Sequence, residues 1–335
     1  MSGRAPVVLR DSTLREGLDT PTVFFSLPAR LRIAAALAAA GVPEVEIVAP
    51  SRVRDDLRVA EKVAAKGLRL RTSGLVYANR PECPGEVESA SQLLDHVDLL
   101  MPLSPERQPH GRREKIAVLR TMLEPWARRD VEVGAGFPHA LQVPADFVLA
   151  IAKQAVMAGA QRITIYDTNG SGDPFTVQQL VGGLVAELRV PVFFHAHNDL
   201  GLATANAFAA VHAGAAGLDV TANGLGDRAG NTSLEQIALV LQSRGWTTGV
   251  DLGALKGLSR LVEKLSRVGV SKLAPVVGEY VFAHKSPSHL YVPTEFEAFA
   301  PELIGARRRI DRGAAAQRTG RRPPQRRAAR AQRKR

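Results

Sequence analysis

The stretch RITIYDTNGSGDPFTVQQLVGGLVAELRVPVFFHAHNDL, residues 162–200, holds one complete structural unit. It begins with a short run of β-branched and aromatic residues, 162–168. A segment at 175–188 follows in which apolar residues recur at i, i+3 and i+4, and a second apolar run, 192–197, closes the unit. That order predicts strand, helix, strand. Working outward, the same alternation recurs every 25–35 residues, with strand candidates at 7–13, 44–49, 68–76, 97–102, 131–137, 162–168, 192–197 and 218–223. Helical periodicity is clearest at 27–40, 144–158 and 175–188, and Gly41, Gly67, Gly159 and Gly214 stand where helix C-caps belong. Eight strand–helix units predict a parallel sheet with right-handed crossovers, and eight strands close a (β/α)8 TIM barrel. An open, doubly wound sheet is the alternative.

We expect the barrel to occupy residues 1–250. A small helical accessory segment should follow at 251–310, with helix over 251–272, and then a basic disordered tail at 311–335. The chain has 335 residues and a net charge of +11, of which the tail carries +9 through ten Lys and Arg against one Asp. The folded part is therefore nearly neutral. Nucleic acid is expected to bind, if at all, only non-specifically through the tail. No apolar run approaches the roughly 20 residues that cross a bilayer, no leader-like segment opens the chain, and the one cysteine, Cys83, can form no internal disulfide. A cytoplasmic protein with no membrane partner is expected.

The polar residues gather where a barrel enzyme keeps its chemistry, at the C-terminal ends of the strands. The first strand ends in Asp11-Ser12-Thr13-Leu14-Arg15-Glu16-Gly17, and the sixth in Tyr166-Asp167-Thr168-Asn169-Gly170. The seventh ends in His195-Ala196-His197-Asn198-Asp199, and the eighth runs into a loop from Asn223 to Thr232. His195 and His197 are two apart on a strand and so face the same side. With a carboxylate from another strand, for which Glu16 is the best candidate, they would make a divalent-metal site with positions open to substrate. Arg15 beside it could stabilise an oxyanion. The competing reading is two hydrogen-bonded histidines and a structural Arg15–Glu16 pair.

DSTLREG (11–17), YDTNG (166–170), HAHNDLGLATAN (195–206) and NGLGDRAGNTSLE (223–235) together resemble the metal-dependent barrels that carry a pyruvate-carboxyltransferase domain. Those are the isopropylmalate, homocitrate and citramalate synthases and the hydroxymethylglutaryl-CoA lyases. The resemblance implies Glu16, His195 and His197 as metal ligands, with Asn231 completing the site, and Mg, Mn or Zn as the metal. It implies Arg15 as a catalytic group and Thr168 as a grip on a substrate carboxylate. It also places a catalytic histidine, here His289, in the segment beyond the barrel, delivered across a homodimer interface.

Several positions depart from the synthase pattern: Leu18-Asp19 stands for Glu-Gln, Phe193 for a glutamate, and a Gly134–His139 stretch closes the fifth strand. Asp19, Phe193 and His139 are thus the expected selectors of substrate. Pro287-Ser288 and Phe296 replace the usual surroundings of His289. The resemblance implies condensation of acetyl-CoA, or another short acyl-CoA, with a 2-oxo acid. The alternative is a metal-dependent lyase or aldolase, whose reactive cysteine should lie in the loop that here carries Asp227-Arg228.

Overall fold

The computed structural model of the protein describes residues 4–49, 53–103, 111–127 and 131–310. The tail expected at 311–335 lies outside the described residues. The eight strands are β1 (Val8–Asp11), β2 (Glu44–Val48), β3 (Arg71–Tyr77), β4 (His96–Leu100), β5 (Glu132–Phe137), β6 (Ile163–Asp167), β7 (Val192–Ala196) and β8 (Gly217–Val220). All pair in parallel in sequence order, and β1 returns to β8 with Val8 opposite Gly217 and Asp11 opposite Val220. The sheet is a closed barrel, as the strand count implied, and the open sheet is excluded.

Among the described residues eight helices clothe the barrel: α1 (Leu27–Ala39), α2 (Val53–Ala64), α3 (Cys83–Ser91), α4 (Arg112–Leu123), α5 (Ala145–Met157), α6 (Pro174–Glu187), α7 (Ala203–His212) and α8 (Leu234–Ser243). Their starts are written locally. Ser26 caps α1 by accepting from Ala29 N, and Asp173 caps α6 by accepting from Phe175 N and Thr176 N, with Pro174 in the first turn. Each helix turns its apolar face onto the strands, as Ile33 and Leu37 of α1 and Ile151 and Ala155 of α5 do. Each such Leu or Ile contributes about 1.5–3 kcal/mol.

Two expectations need correction. The third strand starts at Arg71, three residues later than the apolar run suggests, because Leu68 and Leu70 belong to a turn. The helix expected over 251–272 is α9 (Leu255–Ser266), introduced by a 3-10 turn, Leu252–Ala254. It stops where Arg267 adopts φ 60°, and Ser266 Oγ and Glu263 Oε1 take the N–H groups of Val268 and Val270. Leu255, Leu258 and Val262 of α9 join the main core, so barrel packing runs past residue 250. Beyond it, β9 (Ala283–His284) and β10 (Arg309–Ile310) form a two-stranded parallel pair around α10 (Pro287–Tyr291). Among the described residues no helix is long and apolar enough to cross a membrane.

The barrel interior is charged. Arg10 donates to both oxygens of Asp219 at 2.6 and 2.9 Å and to Asp98 at 2.7 Å. Asp98 also meets His96 Nε2 at 3.0 Å and the Thr164 hydroxyl at 3.1 Å. One layer nearer the N-terminal ends, Arg162 grips Glu44 at 2.8 and 3.1 Å, and Glu132 meets His96 and Arg162, both at 3.3 Å. Gly134 makes room for this, since a Cβ there would strike Asp98 Oδ1. Each charged group of this network faces an opposite one, as the low dielectric requires.

Removing one member of such a network strands the others. Asp98→Asn should lower the free energy of unfolding by about 3–5 kcal/mol, read as a shift in the urea midpoint. A shift no larger than that of a surface Asp→Asn control would mean that the network is not held as described. The network also sets an acid limit. Burial raises the Glu132 carboxyl, but hydrogen bonds to His96 and Arg71 outweigh it and hold it down to about 2. A depressed carboxyl contributes stability above its ordinary value, and this is lost as pH falls through the folded one. The melting temperature should therefore decline between about pH 4.5 and 2, and less steeply in Glu132→Gln.

Candidate active site

At the C-terminal mouth the chain leaves β1 in a tight turn in which Ser12 O accepts from the N–H groups of Arg15, Glu16 and Gly17. Asp11 Oδ1 accepts from Thr13 N at 2.9 Å, and Thr13 Oγ1 accepts from Ala222 N at 2.8 Å, which ties the turn to the loop after β8. A short 3-10 helix, Glu16–Asp19, follows and aims Glu16 inward. Arg15 is held on both sides: its Nε donates to Glu46 Oε2 at 2.7 Å, and its Nη1 pairs with Glu16 Oε2. Glu46 accepts from Ser12 Oγ at 2.5 Å as well. Buried and pinned by two carboxylates, the Arg15 guanidinium is permanently charged.

Glu16, His195 and His197 come together, their nearest ligating atoms all within 4.8 Å of one another and all three residues buried. His197 Nε2 lies 3.7 Å from Glu16 Oε1, and the two imidazole rings are 5.0 Å apart. His195 Nδ1 lies 3.0 Å from Asp219 Oδ2, so the carboxylate takes the ring's N–H and leaves Nε2 as the bare nitrogen. Burial, with the positive charge of nearby Arg228 and Arg15, pushes His197 down to about 2. It is neutral at working pH, as a ligand must be. His197 Nδ1 and Asn231 Oδ1 are buried without hydrogen-bond partners, and Asn231 Nδ2 lies 2.9 Å from His195 Nε2. Two neutral imidazoles, one carboxylate and an unpartnered amide oxygen, all buried together, fit a divalent cation.

The loops around this cluster brace one another. Arg228, at φ 54°, donates to both oxygens of Asp199 at 2.8 and 3.0 Å and to Thr168 O at 2.7 Å, joining the loops after β6, β7 and β8. Asp167 accepts from Ser171 N and Gly172 N, shaping the DTNG turn. Gly226, at φ 155°, passes where a Cβ would overlap Asn231 Oδ1. Its N–H donates to Thr20 Oγ1 at 2.8 Å and closes the mouth between the first and last loops.

The other expected residues fall into four places. Thr168 and His139 lie together, Thr168 Oγ1 accepting from His139 N at 2.8 Å, and His139 Nδ1 lies 2.7 Å from Gln142 Oε1. Asp19 is half-buried at the end of the 3-10 helix that carries Glu16. Phe193 faces inward but lies one pleat below His195. Its ring lies 4.1 Å from the Arg162 guanidinium and fills the space over Gly217, so it packs the barrel floor and does not reach the mouth. His289 is not drawn into the cluster within one chain; it stacks on Phe296 and meets His284.

Sequence reasoning missed Glu46, Asp219, Arg10 and Tyr166, whose ring lies 4.7 Å from that of His195. A signal existed: charged residues at alternate positions of apolar strands, as in Glu44-Val45-Glu46 and His96-Val97-Asp98.

The family model described as HMGL-like matches residues 6–262. The chain belongs to the HMGL-like family. Among its curated relatives, homocitrate synthase 1 of Nostoc sp. is 34% identical over 313 residues, covering 91% of this chain and 82% of the relative. 2-Isopropylmalate synthase 2 of Caldanaerobacter subterraneus is 32% identical over 91% of this chain and 81% of its own length. Of solved structures, the HMG-CoA lyase of Bacillus subtilis superposes with a TM-score of 0.69 at 20% identity, over 83% of this chain and 98% of that one. At that identity the likeness shows the HMGL-like barrel fold alone.

The geometry predicts metal binding that depends on the three gathered side chains. Mn2+ titrated into the protein and followed by electron paramagnetic resonance should bind at one site per chain, and His195→Ala should abolish this. Asp219→Asn, which removes the partner that orients His195, should weaken binding about 10- to 100-fold. Unchanged affinity in both variants would break the assignment.

Proposed function

We propose that this HMGL-like protein is an acyl-CoA:2-oxo acid C-acyltransferase, joining the methyl carbon of acetyl-CoA to the carbonyl carbon of a 2-oxo acid. Water then releases the thiol of CoA, and the product is a 2-hydroxy-2-carboxymethyl acid. The observation that carries this reading is relationship: synthases of this kind are 30–34% identical over nine-tenths of the chain.

In this reading Glu16, His195, His197 and Asn231 hold a divalent cation, Mg, Mn or Zn, which when bound polarises the 2-oxo group. Arg15, fixed by Glu46 and Glu16, faces the oxygen that gains charge as the carbon–carbon bond forms. Thr168 grips the 2-oxo acid's carboxylate, and Asp19 and His139 border its side chain. His289 moves the proton of the acyl methyl group, reaching the site as the partner subunit's His289 in a homodimer.

The lyase reading is weaker for a reason of chemistry. It asks for a reactive cysteine in the loop after β8, where Asp227 and Arg228 stand. Cys83 lies instead in α3, 1% exposed, and burial together with nearby Glu86 pushes its thiol up to about 12. A thiol so seldom ionised is a poor nucleophile.

Thiol release from acetyl-CoA, followed colorimetrically with Mg2+ or Mn2+ against a panel of 2-oxo acids, tests the proposal. Release should depend on one oxo acid, vanish with a chelator, and fall at least about 100-fold in Arg15→Ala. Silence with every oxo acid, together with cleavage of hydroxymethylglutaryl-CoA, would give the protein to the lyase reading.

A further inference from the structure

The segment after the barrel lines up three polar side chains. Glu297 Oε1 lies 3.0 Å from His284 Nε2, and His284 Nδ1 lies 3.2 Å from His289 Nδ1. The row is anchored at its acidic end, where Arg308 donates twice to Glu297, each time at 2.6 Å. The backbone sets the spacing: β9 pairs with β10, Ile310 opposite His284, and Arg309 N donates to Phe282 O at 2.9 Å. Phe282, next but one to His284, packs edge-on against Phe299. On its far side the His289 ring is stacked on Phe296, centroids 3.8 Å apart and planes 13° apart, which fixes its orientation.

Proton counting then decides what each nitrogen carries. The two bonds from Arg308 hold the Glu297 carboxyl below the usual range, so it is ionised and can only accept. His284 Nε2 must therefore carry hydrogen. A neutral imidazole has one N–H, which leaves a lone pair on His284 Nδ1. The atom facing that lone pair is His289 Nδ1, which must carry the hydrogen of its own ring. His289 Nε2 is left bare. The ion pair between Glu297 and Arg308 would tie the segment together without any of this. The pair of histidines adds a defined tautomer.

We propose that Glu297 and His284 are positioning residues that set the tautomer of His289, so that His289 offers an unprotonated Nε2 to the substrate. Glu297 acts through His284 and His284 through His289, and neither touches the reacting atoms. The proposal rests on the reading of His289 as the proton-moving group. It goes beyond that reading in naming the two residues that give the histidine its basic nitrogen.

The test reads the tautomers directly. Long-range 1H–15N spectra of full-length protein labelled in its eight histidines distinguish Nδ1–H from Nε2–H, and His289→Gln identifies the His289 signal by its loss. The expected result is Nδ1–H for His289 and Nε2–H for His284 in the unaltered protein. His284→Leu should release the bias at His289 and lower kcat about 10- to 100-fold, with KM for both substrates within about twofold. His284→Asn, whose amide oxygen can stand where Nδ1 did, should restore the tautomer and most of kcat. An Nε2–H signal for His289 in the unaltered protein would overturn the proposal whatever the variants do. So would an unchanged tautomer in His284→Leu. Full turnover by His289→Gln would sink the functional reading of His289 separately, and the wild-type tautomers would still decide the hydrogen-bond order proposed here.

Discussion

Asp219 is shared between two demands that meet at the centre of the barrel. One of its oxygens takes Arg10 Nε, and the other takes both Arg10 Nη2 and His195 Nδ1. The carboxylate is fully buried and held well below its ordinary range, where Arg10 and His195 outweigh the cost of desolvation. The scaffold and the site therefore lean on the same side chain. Arg10 carries the constraint onward to Asp98 and His96, so the orientation of His195 is continuous with the packing of the barrel floor.

This arrangement explains why a barrel of mostly apolar strands tolerates so much interior charge. Buried ion pairs add little stability against a well-packed apolar core, but breaking one is costly. The interior is thus locked into one pattern of partners, and the side chains at the mouth inherit its rigidity. Arg15 is fixed from below by Glu46 and from the side by Glu16, and Arg228 locks three loops above. A site that must place a cation, an oxo group and an acyl carbon in register gains from a frame that cannot drift.

The accessory segment follows the same logic on a smaller scale. Its two-residue strands could not hold a histidine in place by themselves, and an ionic anchor, Arg308 on Glu297, does so together with the Phe296 stack. In both places a carboxylate fixed by an arginine orients a histidine.

The sequence by itself determined the eight-fold alternation of strand and helix, because short apolar runs and the 3.6 period of helix faces are local signals. It also determined that Glu16, His195 and His197 stand at strand ends. In a parallel barrel all C-terminal ends share one face, so a linear motif becomes a spatial one. What only tertiary structure decided is how side chains from strands far apart in sequence meet across the interior. Asp219 under His195, Glu46 under Arg15 and Arg10 between Asp98 and Asp219 depend on strand stagger and barrel closure, which no local period encodes. The same cause governs where Phe193 points. Its parity on β7 is that of His195, but one pleat deeper that inward direction ends against Arg162 and Gly217. The end of α9 at Arg267 was hidden for a related reason, since the carboxylate and hydroxyl that close it come from Glu263 and Ser266, residues that read equally well as helix.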